Sequence, residues 1–498
     1  MHLKKNANQT LINFLNSHKP NSWLLKKASQ MPLKKALIHR EQSYSFLQLA
    51  LLVQGYANYW HKRLADKPTT VALLGNNSLE YVLTILALFE LGIKVQFLNP
   101  RLTSREIVFQ LNDAGCEHVI CTKNVWQDLS VNFKTYKALD LLEISQLPIQ
   151  QIFDYGYRSE NIASIMYTSG TTGHPKGVGQ CFKHHKASAL ATKKSLALTS
   201  EDCWLCVLPL YHIGGLAIIL RMLICGCSVY LVEKFQAEQI QTLISTKQVT
   251  LASVVTKMLQ DLAELLPTTV YPANFKTYLL GGGPVAKDLL LKYQKFGVAV
   301  MQSYGMTETC SQICALPAQD ALSKLGSAGR PLEGVCLKIS APQKDGIGEI
   351  WLKGSSIISN YLGQKKTTDW LKTGDLGYLD QDGFLYLVSR QSELIISGGE
   401  NIYPTEIEHL LQRLPQIKQV AVVGQKDQTW GQVPVAFLTL KTSITKVEIL
   451  DYLTPRLAKY KFPKAFFVVK EMPMTASNKI QKYRFLTDEK GSLVEYEL

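Results

Sequence analysis

The 498-residue sequence contains no uninterrupted apolar stretch of about 18 residues, the length that a membrane-spanning helix needs. The most apolar candidate, residues 82–93, is short and carries Glu90. The basic N-terminus, residues 1–5, is followed by polar residues 6–10, where a secretory signal needs an apolar core. The sequence therefore predicts a protein without a membrane span that works in the cytoplasm.

Cysteine is too sparse, with ten residues, to indicate a secreted disulfide scaffold. Cys203 and Cys206, followed by Cys225 and Cys227, have nearly the spacing of a zinc ribbon, but a single residue separates the second pair. Both pairs lie among apolar, strand-forming residues, and free cysteine behaves as a small buried hydrophobe. We expect these four thiols to pack in a core without a metal.

Dense basic clusters are absent, although the net charge is +14. The Lys and Arg residues are dispersed, with no basic helix and no stripe of interleaved aromatic residues. A nucleic-acid-binding protein is therefore a weaker interpretation than a protein whose positive field attracts small anionic substrates.

Neither internal repeats nor low-complexity linkers interrupt the chain. Short apolar runs alternate with amphipathic segments up to about residue 390, which predicts α/β subdomains with mostly parallel sheets. The expected strands are 70–74, 95–98, 119–121, 205–208 and 229–232, and the expected helices are 79–91 and 237–244.

From residue 376 onward, short strands and Asp-Gly turns dominate. Residues 378–387 predict a hairpin, and Pro404 is placed to open a helix. Further strands are expected at 420–423 and 435–440. The sequence thus predicts a large N-terminal α/β domain, residues 1–391, and a small, mobile C-terminal α+β domain, residues 392–498.

The spacing of a P-loop is also missing, because no Gly-Lys-Ser/Thr opens a helix. Residues 167–177 (YTSGTTGHPKG) nevertheless follow an apolar strand with hydroxyls, glycines and one lysine. Backbone N–H groups in such a loop can wrap a polyphosphate, since glycine lets the main chain approach a ligand closely. The alternative is a flexible surface loop. The candidate phosphate ligands are Thr168, Ser169, Gly170, Thr171, Thr172 and Lys176.

This loop resembles the phosphate loop of the adenylate-forming enzymes, the superfamily of acyl-CoA ligases, adenylation domains and beetle luciferases. Further matching segments follow in the expected order: 304–309 (YGMTET), 373–375 (TGD), Arg390, 395–404 (IISGGENIYP) and Lys479. The resemblance implies an enzyme that uses ATP, Mg²⁺ and CoA to convert a small-molecule carboxylate into a thioester.

The resemblance also implies roles for individual residues. Lys479 corresponds to the catalytic lysine that bridges the substrate carboxylate and the α-phosphate. In relatives the C-terminal domain turns about a hinge, here Ser392, and brings a glycine loop, here Gly398 and Gly399, to the pantetheine of CoA. The expected nucleotide ligands are Tyr304 and Gly282 for adenine, Asp375 and Arg390 for ribose, Thr307 for the α-phosphate and Glu308 for Mg²⁺.

Two positions depart from the family pattern. Many relatives carry Asp or Lys at the hinge position, where this chain has Ser392. Relatives usually have glycine immediately before the catalytic lysine, where this chain has Asn478, a residue that tolerates the left-handed conformation better than most.

A second set of segments resembles the branch of acyl-CoA ligases that activates 2-succinylbenzoate in bacterial menaquinone synthesis. That substrate keeps a second carboxylate, and Arg221, expected in a buried helix, is the candidate partner for it. An internal salt bridge is the alternative for Arg221. His212 is a candidate for the wall of the acyl pocket, or else a core histidine. The segments are 208–216, Arg221, 310–312, 326–329, 430–434 and 457–461.

Other functions remain as alternatives. An acyl-CoA ligase for fatty or aryl acids shares every nucleotide motif. A domain that loads a carrier protein is a weaker interpretation, since no carrier segment follows Leu498. The sequence leaves open whether the chain forms homo-oligomers.

Overall fold

The computed structural model divides the chain into two compact units. The first comprises Met1–Leu337, Leu352–Leu371 and Gln381–Leu385, and the second comprises Lys338–Trp351, Lys372–Asp380 and Tyr386–Leu498. The structure describes residues 2–498 apart from 123–135, 142–146, 169–174, 267–270, 282–284, 343–345, 359–360, 365–368, 391–392, 398–399, 429, 458, 475–479 and 488–492. The side chains of residues 2–8, 400 and 401 also lie outside this description.

The first unit alternates helices and strands over most of its length. Its helices are α1 (His2–Ser17), α2 (Trp23–Gln30), α3 (Phe46–Arg63), α4 (Leu79–Glu90), α5 (Ser104–Asp113), α6 (Phe182–Ser195), α7 (Ile213–Cys225), α8 (Ala237–Ser245), α9 (Thr256–Glu264) and α10 (Lys287–Lys295). Its strands are β1 (Lys35–His39), β2 (Gln42–Ser45), β3 (Thr70–Leu74), β4 (Lys94–Leu98), β5 (His118–Cys121), β6 (Lys137–Asp140), β7 (Ile162–Thr168), β8 (Lys176–Cys181), β9 (Cys203–Cys206), β10 (Ser228–Leu231), β11 (Leu251–Val255), β12 (Thr277–Gly281), β13 (Val300–Met306), β14 (Ser311–Leu316) and β15 (Ser327–Pro331).

Two sheets organise this unit. In one, the order is β6-β5-β3-β4-β7-β8, and every neighbouring pair is parallel except β7 and β8. In the other, β1, β10, β9, β11, β12 and β13 are parallel neighbours, β2 pairs antiparallel with β1, and β14 pairs antiparallel with both β13 and β15. Parallel strands are buried on both faces, so β3 and β9 consist of buried residues throughout.

Local sequence signals set the helix ends. Helices α3 and α5 begin with capping boxes, Ser45 with Gln48 and Thr103 with Glu106, which satisfy backbone N–H groups of the first turn. Helix α7 is apolar almost throughout and buried, and it stops at Gly226, whose φ of 81° is the left-handed conformation that glycine tolerates.

The second unit is built mainly of strands. They are β16 (Val335–Ser340), β17 (Gly348–Gly354), β18 (Leu371–Leu379), β19 (Leu385–Arg390), β20 (Ile395–Ser397), β21 (Glu400–Ile402), β22 (Ile417–Asp427), β23 (Gly431–Leu440), β24 (Phe466–Val468) and β25 (Tyr496–Glu497), of which β16–β19 begin or end in the first unit. Its helices are α11 (Pro404–Leu411), α12 (Lys446–Leu453) and α13 (Tyr483–Thr487). The long antiparallel pair β22 and β23 forms the centre of its C-terminal sheet.

The α/β fold class and the predicted elements are confirmed. Strands β3, β4, β5, β10, β22 and β23 and helices α4 and α8 include or overlap their predicted ranges, and Pro404 opens α11. The strand predicted at 205–208 begins and ends two residues earlier, at Cys203–Cys206. The predicted boundary between residues 391 and 392 stays a prediction.

The expected burial of the four cysteines is confirmed. Cys203, Cys206, Cys225 and Cys227 are buried free thiols. Among the residues that the structure describes, no group of three or more His, Cys, Asp or Glu side chains is arranged to hold a metal ion. None of the helices in the described ranges combines the length and the apolar character that crossing a bilayer requires.

Candidate active site

The carboxyl ends of two sheets meet at one point of the first unit. Strand β7 ends at Thr168, and β13 leads directly into a 3₁₀ turn, Thr307–Thr309. The Thr168 hydroxyl donates to Oε1 of Glu308 over 3.4 Å, and Nε2 of Gln180, on β8, donates to the carbonyl of Thr307 over 2.6 Å. In parallel α/β sheets, this edge is where ligands bind. The structure thus brings together two motifs that lie far apart in sequence.

Lys176 lies beside them at the start of β8, in register with Thr168 across the β7–β8 pair. Its ammonium group is 5.2 Å from the ring centroid of Tyr361, and the Tyr361 hydroxyl donates to Oε1 of Glu308 over 2.9 Å. Tyr361 therefore ties the lysine and the carboxylate into one cluster. The sequence analysis missed Tyr361, because a single tyrosine in an irregular segment carries no pattern.

The turn that carries Thr307 and Glu308 has a strained backbone. Cys310 and Ser311 have φ values of 53° and 106°, a region that residues other than glycine rarely occupy. A β-bulge precedes the turn at Gly305, where an added Cβ would lie 2.1 Å from the carbonyl oxygen of Ser311. The strand and the turn approach each other so closely that only glycine fits.

Tyr304, one of the two adenine candidates, lies on β13, next to the end of β12. Tyr304 is buried near the end of β13, and β12 ends alongside it at Gly281. The Ser303 hydroxyl donates to the carbonyl of Leu280 over 2.9 Å, which joins the ends of the two strands. Strand β12 therefore ends beside the segment of β13 that carries Tyr304.

Asp375 and Arg390 are paired within the second unit. Nε of Arg390 lies 2.7 Å from Oδ1 of Asp375, and Nη1 donates to the carbonyl of Thr373 over 3.1 Å. The Thr373 hydroxyl in turn accepts from the Asp375 amide over 3.0 Å. Asp375 is buried, whereas Arg390 is partly exposed, so one partner is anchored while the other is accessible.

Arg221 is 1% exposed in the middle of α7, which agrees with its expected place in a buried helix. Its Nη2 donates to the Ser311 hydroxyl over 3.1 Å and to Oε1 of Gln312 over 3.2 Å, and its guanidinium carbon is 4.8 Å from the Trp204 ring centroid. These partners are neutral, and within the described residues Arg221 has no carboxylate partner and Nε has no hydrogen-bond partner. Burial lowers the pKa of Arg221 to about 10, which still leaves it charged at neutral pH. The internal salt bridge is therefore not formed with any described residue.

His212 is half-buried at the position just before α7, and its carbonyl accepts from the amides of Gly215 and Leu216. Its ring meets that of Tyr211 edge-on, with 4.8 Å between the centroids. The remaining predicted site residues lie outside the described residues: Ser169, Gly170, Thr171, Thr172, Gly282, Ser392, Gly398, Gly399 and Lys479.

The fold and the cluster around Glu308 fit an enzyme that uses a nucleotide, and comparison with known proteins gives the family. Residues 24–362 match the AMP-binding enzyme family, and residues 406–479 match the AMP-binding enzyme C-terminal domain. The chain belongs to the AMP-binding enzyme family. The predicted membership in the adenylate-forming superfamily is confirmed.

Among curated relatives, the chain is similar to the 2-succinylbenzoate–CoA ligase of Enterococcus faecalis, at 45% identity over 95% of this chain and 99% of the relative. The ligase of the same description from Bacillus subtilis is 39% identical over 96% of this chain and 100% of the relative. The o-succinylbenzoate CoA synthetase of Bacillus subtilis, solved in complex with the acyl-adenylate intermediate, has a TM-score of 0.85 at 37% identity, covering 94% of this chain and 98% of that chain. The same synthetase, solved with ATP and a magnesium ion, also has a TM-score of 0.85 at 37% identity, covering 94% of this chain and 99% of that chain.

The close approach at Gly305 leads to a prediction. Gly305→Ala should destabilise the protein by about 1–3 kcal/mol, because the new Cβ meets fixed backbone atoms rather than a movable side chain. The measurement is thermal unfolding followed by intrinsic fluorescence. The matched control is Gly281→Ala on neighbouring β12, where the nearest atom to an added Cβ is Ser303 Oγ at 3.8 Å. Equal unfolding temperatures for the two variants would contradict the close approach.

Proposed function

We propose that this protein activates 2-succinylbenzoate with ATP and transfers the acyl group to CoA, giving 2-succinylbenzoyl-CoA, AMP and diphosphate. This is the step of menaquinone synthesis that the resemblance in sequence indicates. The observation that carries the proposal is that Thr168 and Tyr361 both bond to Glu308, with Lys176 against the Tyr361 ring. The relatives that match this chain over nearly its whole length are described as ligases for this acid.

The first half-reaction needs charge neutralisation and alignment rather than a covalent group on the enzyme. An oxygen of the substrate carboxylate attacks the α-phosphorus, and the bond to the bridging oxygen of the leaving diphosphate breaks. We assign Lys176 and the hydroxyls of residues 168–172 to the leaving phosphates, and Thr307 to the α-phosphate. Lys176 starts β8 and has Tyr361 beneath it, so its charge is held at the carboxyl edge of the sheet.

Glu308 fits a magnesium ligand. Its carboxylate is buried, and Oε1 accepts hydrogen bonds from Tyr361 and Thr168, which orient the group. Mg²⁺ in nucleotide sites takes one or two protein carboxylates, with phosphates and water as the other ligands. Bound there, the ion would neutralise charge on the phosphate oxygens.

Nucleotide recognition is assigned to Tyr304 and the backbone at Gly282 for adenine, and to Asp375 and Arg390 for ribose. A buried carboxylate can accept from two ribose hydroxyls. The hydrogen bond from the Asp375 amide to Thr373 and the ion pair with Arg390 keep this carboxylate oriented before the nucleotide arrives.

The second half-reaction needs a different face at the same centre. The CoA thiolate attacks the acyl carbon of the adenylate, AMP leaves, and the thiol proton passes to solvent. We assign Lys479 to the first step only, and Gly398 and Gly399 to the passage for pantetheine in the second. A C-terminal domain that turns about Ser392 would exchange them, which is one use of a mobile element in catalysis.

Arg221 is assigned to the second carboxylate of 2-succinylbenzoate, with His212 at the wall of the acyl pocket. A fully buried guanidinium that has only neutral partners among the described residues favours an anionic ligand, because an unpaired buried charge is costly. Its partners Ser311 and Gln312 follow the turn of Thr307 and Glu308 on β14, which places Arg221 near that turn.

A panel of acids tests the proposed function. Diphosphate release with ATP, Mg²⁺ and CoA should be at least about 100-fold faster with 2-succinylbenzoate than with benzoate or a fatty acid, because a site built for a second carboxylate is left unpaired by acids that lack it. Mass spectrometry should identify the thioester. Faster turnover of a fatty or aryl acid would support the alternative acyl-CoA ligase, and no diphosphate with any acid would refute adenylation.

Substitution of Arg221 tests the acyl pocket. Arg221→Ala should raise the KM for 2-succinylbenzoate at least about tenfold, because losing one partner of a buried charge pair costs ~2–5 kcal/mol. The KM for ATP should stay nearly constant. Arg221→Lys keeps the charge and should recover part of the affinity. An unchanged KM for the acid, or equal changes in the KM values for the acid and for ATP, would contradict the assignment of Arg221 to the acyl pocket.

Separate assays of the two half-reactions test whether Lys479 acts only in the first. Lys479→Ala should slow carboxylate-dependent diphosphate release by about 100-fold or more, since it removes a cation at the reacting centre. Thioester formation from synthetic acyl-adenylate should proceed near the wild-type rate. Lys470→Ala, at an exposed lysine of the same unit, is the control. Equal losses in both half-reactions would argue against a lysine that serves only the first.

A further inference from the structure

We propose that Gln180 and Ser188 are positioning residues that hold the turn of Thr307 and Glu308 through hydrogen bonds to its carbonyl groups. The inference rests on the proposed function for its kinetic readout. Neither side chain is assigned to a substrate, and both lie behind the turn, on β8 and α6.

The two hydrogen bonds hold opposite ends of the turn. Nε2 of Gln180 donates to the carbonyl of Thr307 over 2.6 Å, and the Ser188 hydroxyl donates to the carbonyl of Cys310 over 2.7 Å. Between them, the carbonyl of Glu308 accepts from the amide of Ile358 over 3.0 Å. Three separate elements therefore fix three carbonyls of a four-residue segment.

A buried chain of side chains sets the orientation of Gln180. The Ser164 hydroxyl donates to Oε1 of Gln180 over 2.6 Å, and Nε2 of His185 lies 2.8 Å from the Ser164 oxygen. Because serine has one hydroxyl proton, His185 must be the donor to Ser164. Burial lowers the pKa of His185 to about 3, so the imidazole is neutral at pH 7. A reversed amide would set Oε1 against the carbonyl oxygen of Thr307, and two acceptors cannot bond.

The turn needs such support because its backbone is strained. Cys310 and Ser311 occupy the left-handed half of conformational space, which persists only where the surroundings enforce it. Without the bond to Gln180, we expect the turn to relax and move the side chains of Thr307 and Glu308. A misplacement of about 1 Å at a reacting centre can lower a rate by about 100-fold.

The variant Gln180→Glu gives a test that depends on pH. A protonated carboxyl keeps one donor and one acceptor, as glutamine does, whereas the ionised form presents an oxygen to the carbonyl of Thr307. Burial raises the pKa of a carboxyl, so the new carboxyl should ionise at a higher pH than an exposed glutamate does, within the range of an activity assay. We expect kcat for diphosphate release, relative to wild type, to fall about 10- to 100-fold between pH 6 and pH 9, with a smaller change in the KM for ATP. Gln180→Met should lose activity at every pH.

Gln96 offers a matched control. It is buried on β4 of the same sheet, and its Nε2 donates to the carbonyl of Gln110 over 2.8 Å, away from the turn. Gln96→Glu introduces the same buried carboxyl, so it should lower stability without altering the pH dependence of the relative kcat. A Gln180→Glu variant that follows wild type across the pH range, or a Gln96→Glu variant with the same pH dependence, would overturn the proposal.

Amide hydrogen exchange tests the positioning role without catalysis. Peptides that cover residues 305–312 should exchange faster in Gln180→Met and Ser188→Ala than in wild type or Gln96→Met. Unchanged exchange in both variants would overturn the proposal even if the protein proved inactive. If wild type releases no diphosphate with any acid while exchange rises as expected, the proposed function fails and the positioning role stands.

Discussion

The candidate site depends on one contact, which forms where the carboxyl ends of the parallel strands of two sheets meet. Strand β7 delivers Thr168 and β13 delivers Thr307 and Glu308, and the hydrogen bond from Gln180 to the Thr307 carbonyl links the two sheets. The Thr307 carbonyl also accepts from the amide of Cys310 over 3.2 Å, so the bond from Gln180 is a second one, and it adds about 0.5–1.5 kcal/mol to the contact. The side chains proposed to bind the polyphosphate are thereby held close together.

The buried polar groups near this contact are of two kinds, which differ in charge and in the partners they have. His185, Ser164 and Gln180 are buried, neutral and mutually hydrogen-bonded, which suits a rigid support. Arg221 is buried and charged with only neutral partners among the described residues, which suits a group that a ligand completes. The interior therefore contains a polar network whose hydrogen bonds are satisfied within the protein and a charged group, Arg221, that has no counter-charge among the described residues. Arg221 is the better candidate for substrate selection.

Much of the fold was predictable because it follows from local patterns. Buried parallel strands such as β3 and β5 are mostly apolar runs, and Pro404 marks the start of a helix by its backbone geometry. Tyr361 and Gln180 were not predictable. Their partners lie 53 and 127 residues away, and neither residue belongs to a periodic or glycine-rich pattern. For the four cysteines, the apolar residues around them predicted burial, and all four thiols are buried.

The sequence by itself determined the class of chemistry, because motifs of glycine, hydroxyl, carboxylate and lysine residues in a set order reflect what phosphates and a carboxylate require. It also determined the alternation of elements, since periodicity is a local property. Only the tertiary structure decided that Thr168 reaches Glu308, that Arg390 pairs with Asp375, and that Arg221 lies behind Ser311 with no carboxylate beside it among the described residues. These are relations between distant segments, and packing in three dimensions sets them.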